Sequence, residues 1–158
     1  MIIIGIDPGS TRIGYGVIET GSPMRAKDYG VIEIKRKESS LLIKEAARAL
    51  TELIARHKPT VVGIEKIYFA KNVKTGIEVA QTRGALILTL AEHNIPVHEL
   101  SPSEVKLAVT NYGLSDKKAV AKMVGLLLNI ERVAGYDDAS DALAIAIATA
   151  GKLPSTQL

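Results

Sequence analysis

The chain has 158 residues, no cysteine, 47% hydrophobic residues and a formal net charge of +3. Disulfides and thiolate metal sites are excluded, the apolar content argues against disorder, and the length suits one domain with its own core. The mild positive charge is weak support for a polyanionic partner, and an aromatic content of 4% argues against a base-stacking platform. Met1 to Asp7 is an apolar run closing on the turn signal Asp7-Pro8-Gly9-Ser10. It reads as a strand rather than a signal peptide, having no positive leader and no small-residue cleavage site. Ile13 to Glu19 and Tyr29 to Lys35 are further strand-like runs, divided by Gly21-Ser22-Pro23, and the three read as an antiparallel meander. Ser39 to His57 has helical spacing, with Leu42, Ala46, Ala49, Leu50 and Leu53 on one side and Ser39 or Ser40 as N-cap. Thr60 to Ile67 reads as a buried strand, Lys74 to His93 as a long helix and Ile95 to Leu100 as a short strand. Pro102 to Thr110 and Ser115 to Leu128 are helical, and Asp137 or Asp138 opens a last apolar helix ending near Gly151. This order gives an α/β fold with a mixed sheet whose faces are covered by helices, in a single domain over residues 1–158. No apolar run approaches the roughly 20 residues that span a bilayer, so a soluble, cytoplasmic protein is expected.

Four acidic residues stand out by position. In the first strand, Ile3, Gly5 and Asp7 share a face; in the second central strand, Val61, Gly63 and Glu65 do the same. Both read apolar, glycine, acid, and the glycine leaves room beside the acid for an ion, a substrate or a closely packed helix. A carboxylate in an apolar strand is costly unless paired or bound to a cation. Asp7 has an alternative reading as the start of an Asx turn at Pro8-Gly9. Glu65 has none as simple, because its neighbours are apolar and Lys66 points to the other face. Asp138 and Asp141 lie three apart on one face of the last helix, whose remainder is Ala, Leu and Ile and should be buried nearly all round. Asp137 suits a plain N-cap, and the helix dipole favours acids there by roughly 0.3–1 kcal/mol each. Capping does not account for an inward-facing Asp141. The four acids together make an oxygen-only ligand set suited to Mg²⁺ or Mn²⁺, and two such ions serve phosphoryl displacement. His57, His93 and His98 lack zinc-ligand spacing and read as structural.

These residues sit in four phrases. The run from Gly5 through Asp7-Pro8-Gly9-Ser10-Thr11-Arg12 to Ile18 resembles the opening of the RuvC Holliday junction resolvases. Ile64 to Asn72 resembles their second acidic block, Gln81-Thr82-Arg83-Gly84 the helix that follows, and Asp138 to Ala146 their C-terminal block. The phrases occur in family order across almost the whole chain. The resemblance implies an RNase H-like fold, a five-stranded mixed sheet flanked by helices. It implies a homodimer that binds four-way DNA junctions and nicks two strands symmetrically, leaving 5′-phosphate and 3′-hydroxyl ends, in DNA recombination and repair. Asp7, Glu65, Asp138 and Asp141 match the catalytic, metal-binding acids of the family, with two Mg²⁺ ions per site and Mn²⁺ as a substitute. Tyr68 falls where the family has an aromatic near the junction centre, although Phe is the residue expected there. Lys106 and Lys117 match basic positions that contact DNA, and Lys71 and Lys74 are placed to meet phosphates. RuvA and RuvB, with which the family works, are the implied protein partners.

The helix from Lys74 to Ala91 carries Ala80, Gly84, Ala85 and Ala91, small residues that would let a second helix approach in a two-fold dimer. Packing on its own sheet accounts for them equally well. Three other functions are compatible with parts of the sequence. An RNA-processing relative would keep fold and metals, and a non-enzymatic junction binder would have a degraded acidic set. An actin-like sugar kinase would share the Asp-Pro-Gly turn but needs two related domains, which 158 residues do not supply.

Overall fold

A computed structural model describes residues 1–35, 38–68, 73–130 and 137–154. Its five strands are β1 (Ile2–Pro8), β2 (Arg12–Glu19), β3 (Arg25–Glu33), β4 (Val61–Glu65) and β5 (Val97–Leu100), in spatial order β3-β2-β1-β4-β5. The first three form the expected antiparallel meander, and β4 and β5 join it in parallel. Helix α1 (Ser39–His57) precedes β4 and α2 (Val73–Glu92) follows it, and α3 (Pro102–Thr110), α4 (Lys117–Leu128) and α5 (Asp137–Lys152) follow β5.

Strand alternation divides the core in two. Ile4, Ile6, Val17, Val62 and Ile64 pack with Leu42, Ala46, Leu50 and Leu53 of α1 and with Leu86 and Leu90 of α2. Ile3, Ile18 and Val61 face the other way, into Leu143, Ile145, Val105, Val109, Val120 and Val124 of α3, α4 and α5. The residues of the Gly-x-acid pattern therefore face the layer of α5. The period of two groups these residues on one face, and the fold covers that face with α5.

That helix sits on a row of glycines. Gly16, Gly5 and Gly63 are register neighbours on β2, β1 and β4. A Cβ at Gly5 would stand 2.0 Å from the Ala142 carbonyl oxygen, and one at Gly14 would stand 2.1 Å from the Asp138 carbonyl oxygen. Of the three occupants that the bare sheet surface could take, the closely packed helix is the one found beside Gly5. The helix is buried on nearly every side, from Ala139 to Ala150 with Asp141 as the half-buried exception. A fully buried Leu143 or Ile145 contributes roughly 1.5–3 kcal/mol by desolvation, so α5 is held in place by its whole surface.

Several boundaries differ from the sequence reading. β3 starts at Arg25, earlier than Tyr29, because it pairs with β2 from Arg25↔Glu19 onward although its first residues are polar. An edge strand of this kind is set by backbone pairing and shows little hydrophobic alternation. Neither Ser39 nor Ser40 caps α1. Glu38 occupies the N-cap without a side-chain cap bond, and Ser40 Oγ donates to Glu38 Oε1 at 2.7 Å. Both serines are already in the first helical turn. α4 begins at Lys117, with Asp116 accepting from the Ala119 N–H at 2.8 Å, while Ser115 turns inward to Thr110. Asp137 is the first helical residue of α5 rather than its cap.

Candidate active site

Asp7, near the end of β1, pairs across the meander with Gly14, so no side chain crowds it from β2. Glu65 closes β4, one step beyond the last β1·β4 pair, Ile6↔Ile64. The glycine row lets the first turns of α5 descend onto this end of the sheet, which brings Asp138 and Asp141 within electrostatic range of Asp7. Burial is the main reason that the Asp7 carboxyl is pushed up to about 7; the charges of Glu65, Asp141 and Asp138 add to it, and Lys117 opposes it. Glu65 is raised by burial and then by Asp141, against Lys117 and Lys106. Like charges gathered in a partly dry site thus resist ionising together. An Asx turn at Pro8-Gly9 offers no reason for that gathering.

Two cationic side chains occupy the flanks. Lys117 Nζ donates to Asp141 Oδ2 at 3.0 Å, and this bond raises the lysine's own pKa. Arg12 Nε lies 3.3 Å from Asp138 Oδ2. That oxygen is buried and accepts no hydrogen bond among the described residues. The Lys117 side chain is 71% exposed, and ion pairs this open contribute roughly 0–1 kcal/mol. Little free energy therefore opposes its replacement by another cation.

The acids wall two hollows. One, of about 370 Å³, is lined by Asp7, Glu65, Asp141, Lys106, Lys117, Pro102, Val105, Val120 and Ala144. The other, of about 240 Å³, is lined by Asp7, Gly9, Ser10, Thr11, Arg12, Val79 and Asp138. Asp7 belongs to both. As the side chains stand, no three acids among the described residues converge tightly enough to chelate one ion. The arrangement nevertheless fits divalent cations: the donors are all oxygen, one buried Asp138 oxygen has no hydrogen-bond donor among the described residues, and burial followed by the charges of its acidic neighbours pushes Asp7 up to about 7.

The expected nucleic-acid contacts are distributed unevenly. Lys106 and Lys117 line the larger hollow beside the acids. Tyr68 is 63% exposed, three residues past Glu65. Lys71 lies outside the described residues, and Lys74 is in the first turn of α2, its side chain likewise outside the description. The histidines are structural as expected: His57 Nε2 bonds Asp28 Oδ2 at 3.0 Å and His93 Nδ1 bonds the Thr89 carbonyl at 2.8 Å. His98 is half-buried in β5. The sequence motifs contain Arg12 and Arg83 without marking either as a site residue. Arg12 could have been anticipated, since the turn after Asp7 folds β2 back beside it. The contact of Arg83 with β4 required the tertiary structure.

An acidic site of this kind on an RNase H-like sheet defines a class, the metal-dependent phosphodiester hydrolases of that fold. The profile of one family, crossover junction endodeoxyribonuclease RuvC, matches residues 3–149. The crossover junction endodeoxyribonuclease RuvC of Petrotoga mobilis is 44% identical over 148 residues, covering 92% of this chain and 91% of that protein. The protein of the same name from Caldicellulosiruptor saccharolyticus is 39% identical over 150 residues, covering 93% and 90%. Among solved structures, T. thermophilus RuvC in complex with a Holliday junction substrate superposes with a TM-score of 0.89 at 29% identity, covering 95% of this chain and 93% of that one. The chain belongs to the RuvC family of crossover junction endodeoxyribonucleases.

Proposed function

We propose that this chain hydrolyses phosphodiesters in four-way DNA junctions, making paired symmetric nicks that leave 5′-phosphate and 3′-hydroxyl ends in recombination and repair. Family membership supports the reaction, and one observation carries its location. Asp7 is half-buried within electrostatic range of Glu65, Asp138 and Asp141 and pushed up to about 7, and it lines two open hollows. A set of carboxylates that repel one another at a solvent-facing cleft favours divalent cations as partners.

Asp7, Glu65, Asp138 and Asp141 would hold the metal, Mg²⁺ in the first instance with Mn²⁺ as a substitute, two ions per site. When bound, such ions activate water and stabilise the leaving oxygen of an in-line phosphoryl displacement. The protein's own residues do the rest. Asp7, held by β1 on a rigid sheet, is the acid common to both hollows. α5 fixes the spacing of Asp138 and Asp141, because its backbone rests directly on the strands. Lys106 and Lys117 supply positive charge at the mouth of the larger hollow, where a backbone phosphate would meet them. Lys71, Lys74 and the exposed Tyr68 would extend that contact along the junction.

The chain would act as a homodimer. The inner side of α2 is buried through Leu86, Leu90, Thr82 and Thr89, while Ile77, Ala80, Gly84, Leu88 and Ala91 stay exposed. A Cβ at Gly84 would meet nothing within 4 Å, so another helix could lie there. A two-fold dimer presents two sites to a substrate of matching symmetry. RuvA and RuvB enter the proposal through the family alone, as does a cytoplasmic location for a single nuclease domain over residues 1–158. No helix among the described residues is long and apolar enough to cross a membrane.

The test is substrate discrimination. A labelled four-way junction, a linear duplex and an RNA–DNA hybrid are incubated with the protein in Mg²⁺ or EDTA. Paired, religatable nicks confined to the junction and abolished by EDTA are expected. Cleavage of the hybrid in preference to the junction would point to the RNA-processing reading, and no metal-dependent cleavage at all would remove the enzyme assignment.

A further inference from the structure

Arg83 lies on α2, and its side chain turns inward to the end of β4, only 18% exposed. Its Nε donates to the backbone carbonyl of Glu65 at 3.1 Å, while Nη2 donates to the carboxylate of Glu99 on β5. One guanidinium thus ties a helix to two parallel strands at the place where the first of them stops.

That place is structurally exceptional among the four acids. Asp7 is paired to Gly14 within a continuing antiparallel ladder. Asp138 and Asp141 stand on a helix packed onto the sheet. Glu65 is the last residue of its strand, and residues 66–68 beyond it belong to no helix or strand. The β1·β4 pairing has already ended at Ile6↔Ile64. On the other side, β5 takes up the next N–H, with Lys66 donating to the Leu100 carbonyl at 2.8 Å. A carbonyl past the end of the β1·β4 ladder needs a donor, and among the described residues Arg83 supplies it. Fixing that carbonyl fixes the peptide plane after Glu65, and with it the direction in which the Glu65 side chain leaves the backbone.

We propose that Arg83 is a positioning residue for Glu65, with Glu99 holding the guanidinium in line. The proposal rests on the assignment of Glu65 to the catalytic set. The fork of the guanidinium is what the role requires, since it reaches two acceptors at once in a fixed plane; a lysine ammonium carries the charge without that planar pair of donors. Arg83 itself lines neither hollow, and it reaches the larger one through its bond to Glu65.

The test compares Arg83→Gln, Arg83→Lys, Glu99→Gln and Glu65→Gln with the unaltered protein. Junction binding in EDTA, the single-turnover cleavage rate, and the Mg²⁺ concentration that half-saturates both cleavage and the rise in Tm are measured. Residues that orient metal ligands typically contribute on the order of 10–100-fold to affinity or rate. Arg83→Gln should therefore lower the cleavage rate by about that factor and move both Mg²⁺ midpoints upward by roughly tenfold, with junction binding changed less than about twofold. Arg83→Lys and Glu99→Gln should fall between. Leu53→Ala, in the core under α1, serves as a destabilised control whose Mg²⁺ midpoints stay unchanged. Arg83 variants with unaltered rate and unaltered Mg²⁺ midpoints would overturn the proposal, as would variants that behave like the Leu53→Ala control. Cleavage at the full rate by Glu65→Gln would overturn the assignment of Glu65 and the proposal with it.

Discussion

Replacing Asp7 with Asn should stabilise the metal-free protein, and the gain should depend on pH. In the folded chain the Asp7 carboxyl is pushed from 3.8 to about 7, mainly by burial and then by the acids around it. The folded state therefore binds more protons than the unfolded state between about pH 4 and pH 7, and unfolding free energy falls as pH rises through that window. Below it, Asp7 is protonated in both states and the penalty is absent; above it, the penalty is complete. At about 1.4 kcal/mol per unit, the full shift corresponds to roughly 4 kcal/mol, which relaxation of the neighbouring acids and partial solvation reduce to about 2–4 kcal/mol. Asn keeps the shape and carries no charge. Urea unfolding in EDTA at about pH 8 should show Asp7→Asn more stable by that amount, and at about pH 3.5, below the unfolded-state pKa, the two proteins should nearly coincide. Adding Mg²⁺ at the higher pH should stabilise the unaltered protein and narrow the gap. A gain of equal size at both pH values, or a loss of stability at pH 8, would refute the electrostatic account and make Asp7 a structural residue.

Gly14→Ala should disrupt the seat of α5, because its Cβ would stand 2.1 Å from the Asp138 carbonyl oxygen. Overpacking of this kind costs roughly 1–3 kcal/mol or more, so a lowered Tm together with lost cleavage is expected; a protein of unchanged Tm would show that the helix can yield. Lys117→Met removes the ammonium that bonds Asp141 at 3.0 Å. Calorimetric titration should find Mg²⁺ bound more tightly to the free variant, while junction binding weakens; unchanged Mg²⁺ affinity would show that the lysine and the cation do not compete. Leu88→Glu, at a position 60% exposed on α2, should leave folding intact and convert the proposed dimer to monomer by analytical ultracentrifugation. A dimer that survives the change would place the interface elsewhere.

The sheet was legible because its strands are either continuously apolar or alternate strictly, and because turn residues separate them. The period of two groups Asp7 with Ile3 and Gly5, and Glu65 with Val61 and Gly63, and the register Gly5↔Gly63 puts both sets on one face. The glycines beside them were visible, but the choice between an ion, a substrate and a helix was not, since only the tertiary fold shows α5 resting on Gly5 and Gly14. Arg25 to Asp28 escaped as strand because an exposed edge carries polar residues. The pairs Arg12–Asp138 and Lys117–Asp141 join residues far apart in the chain, and no local pattern signals them. Arg83 is the extreme case: its partner at β4 is a backbone carbonyl, which every residue possesses.

Asp7, Glu65, Asp138 and Asp141 are proposed to act as one metal-dependent site on junction DNA. The decisive measurement is single-turnover cleavage of a saturated four-way junction in Mg²⁺ by the four acid-to-amide variants. Each variant should bind the junction in EDTA and cut it at least about 100-fold more slowly, a loss on the order of 3 kcal/mol in barrier. Any one of the four cutting at the full rate would contradict a site built from all of them.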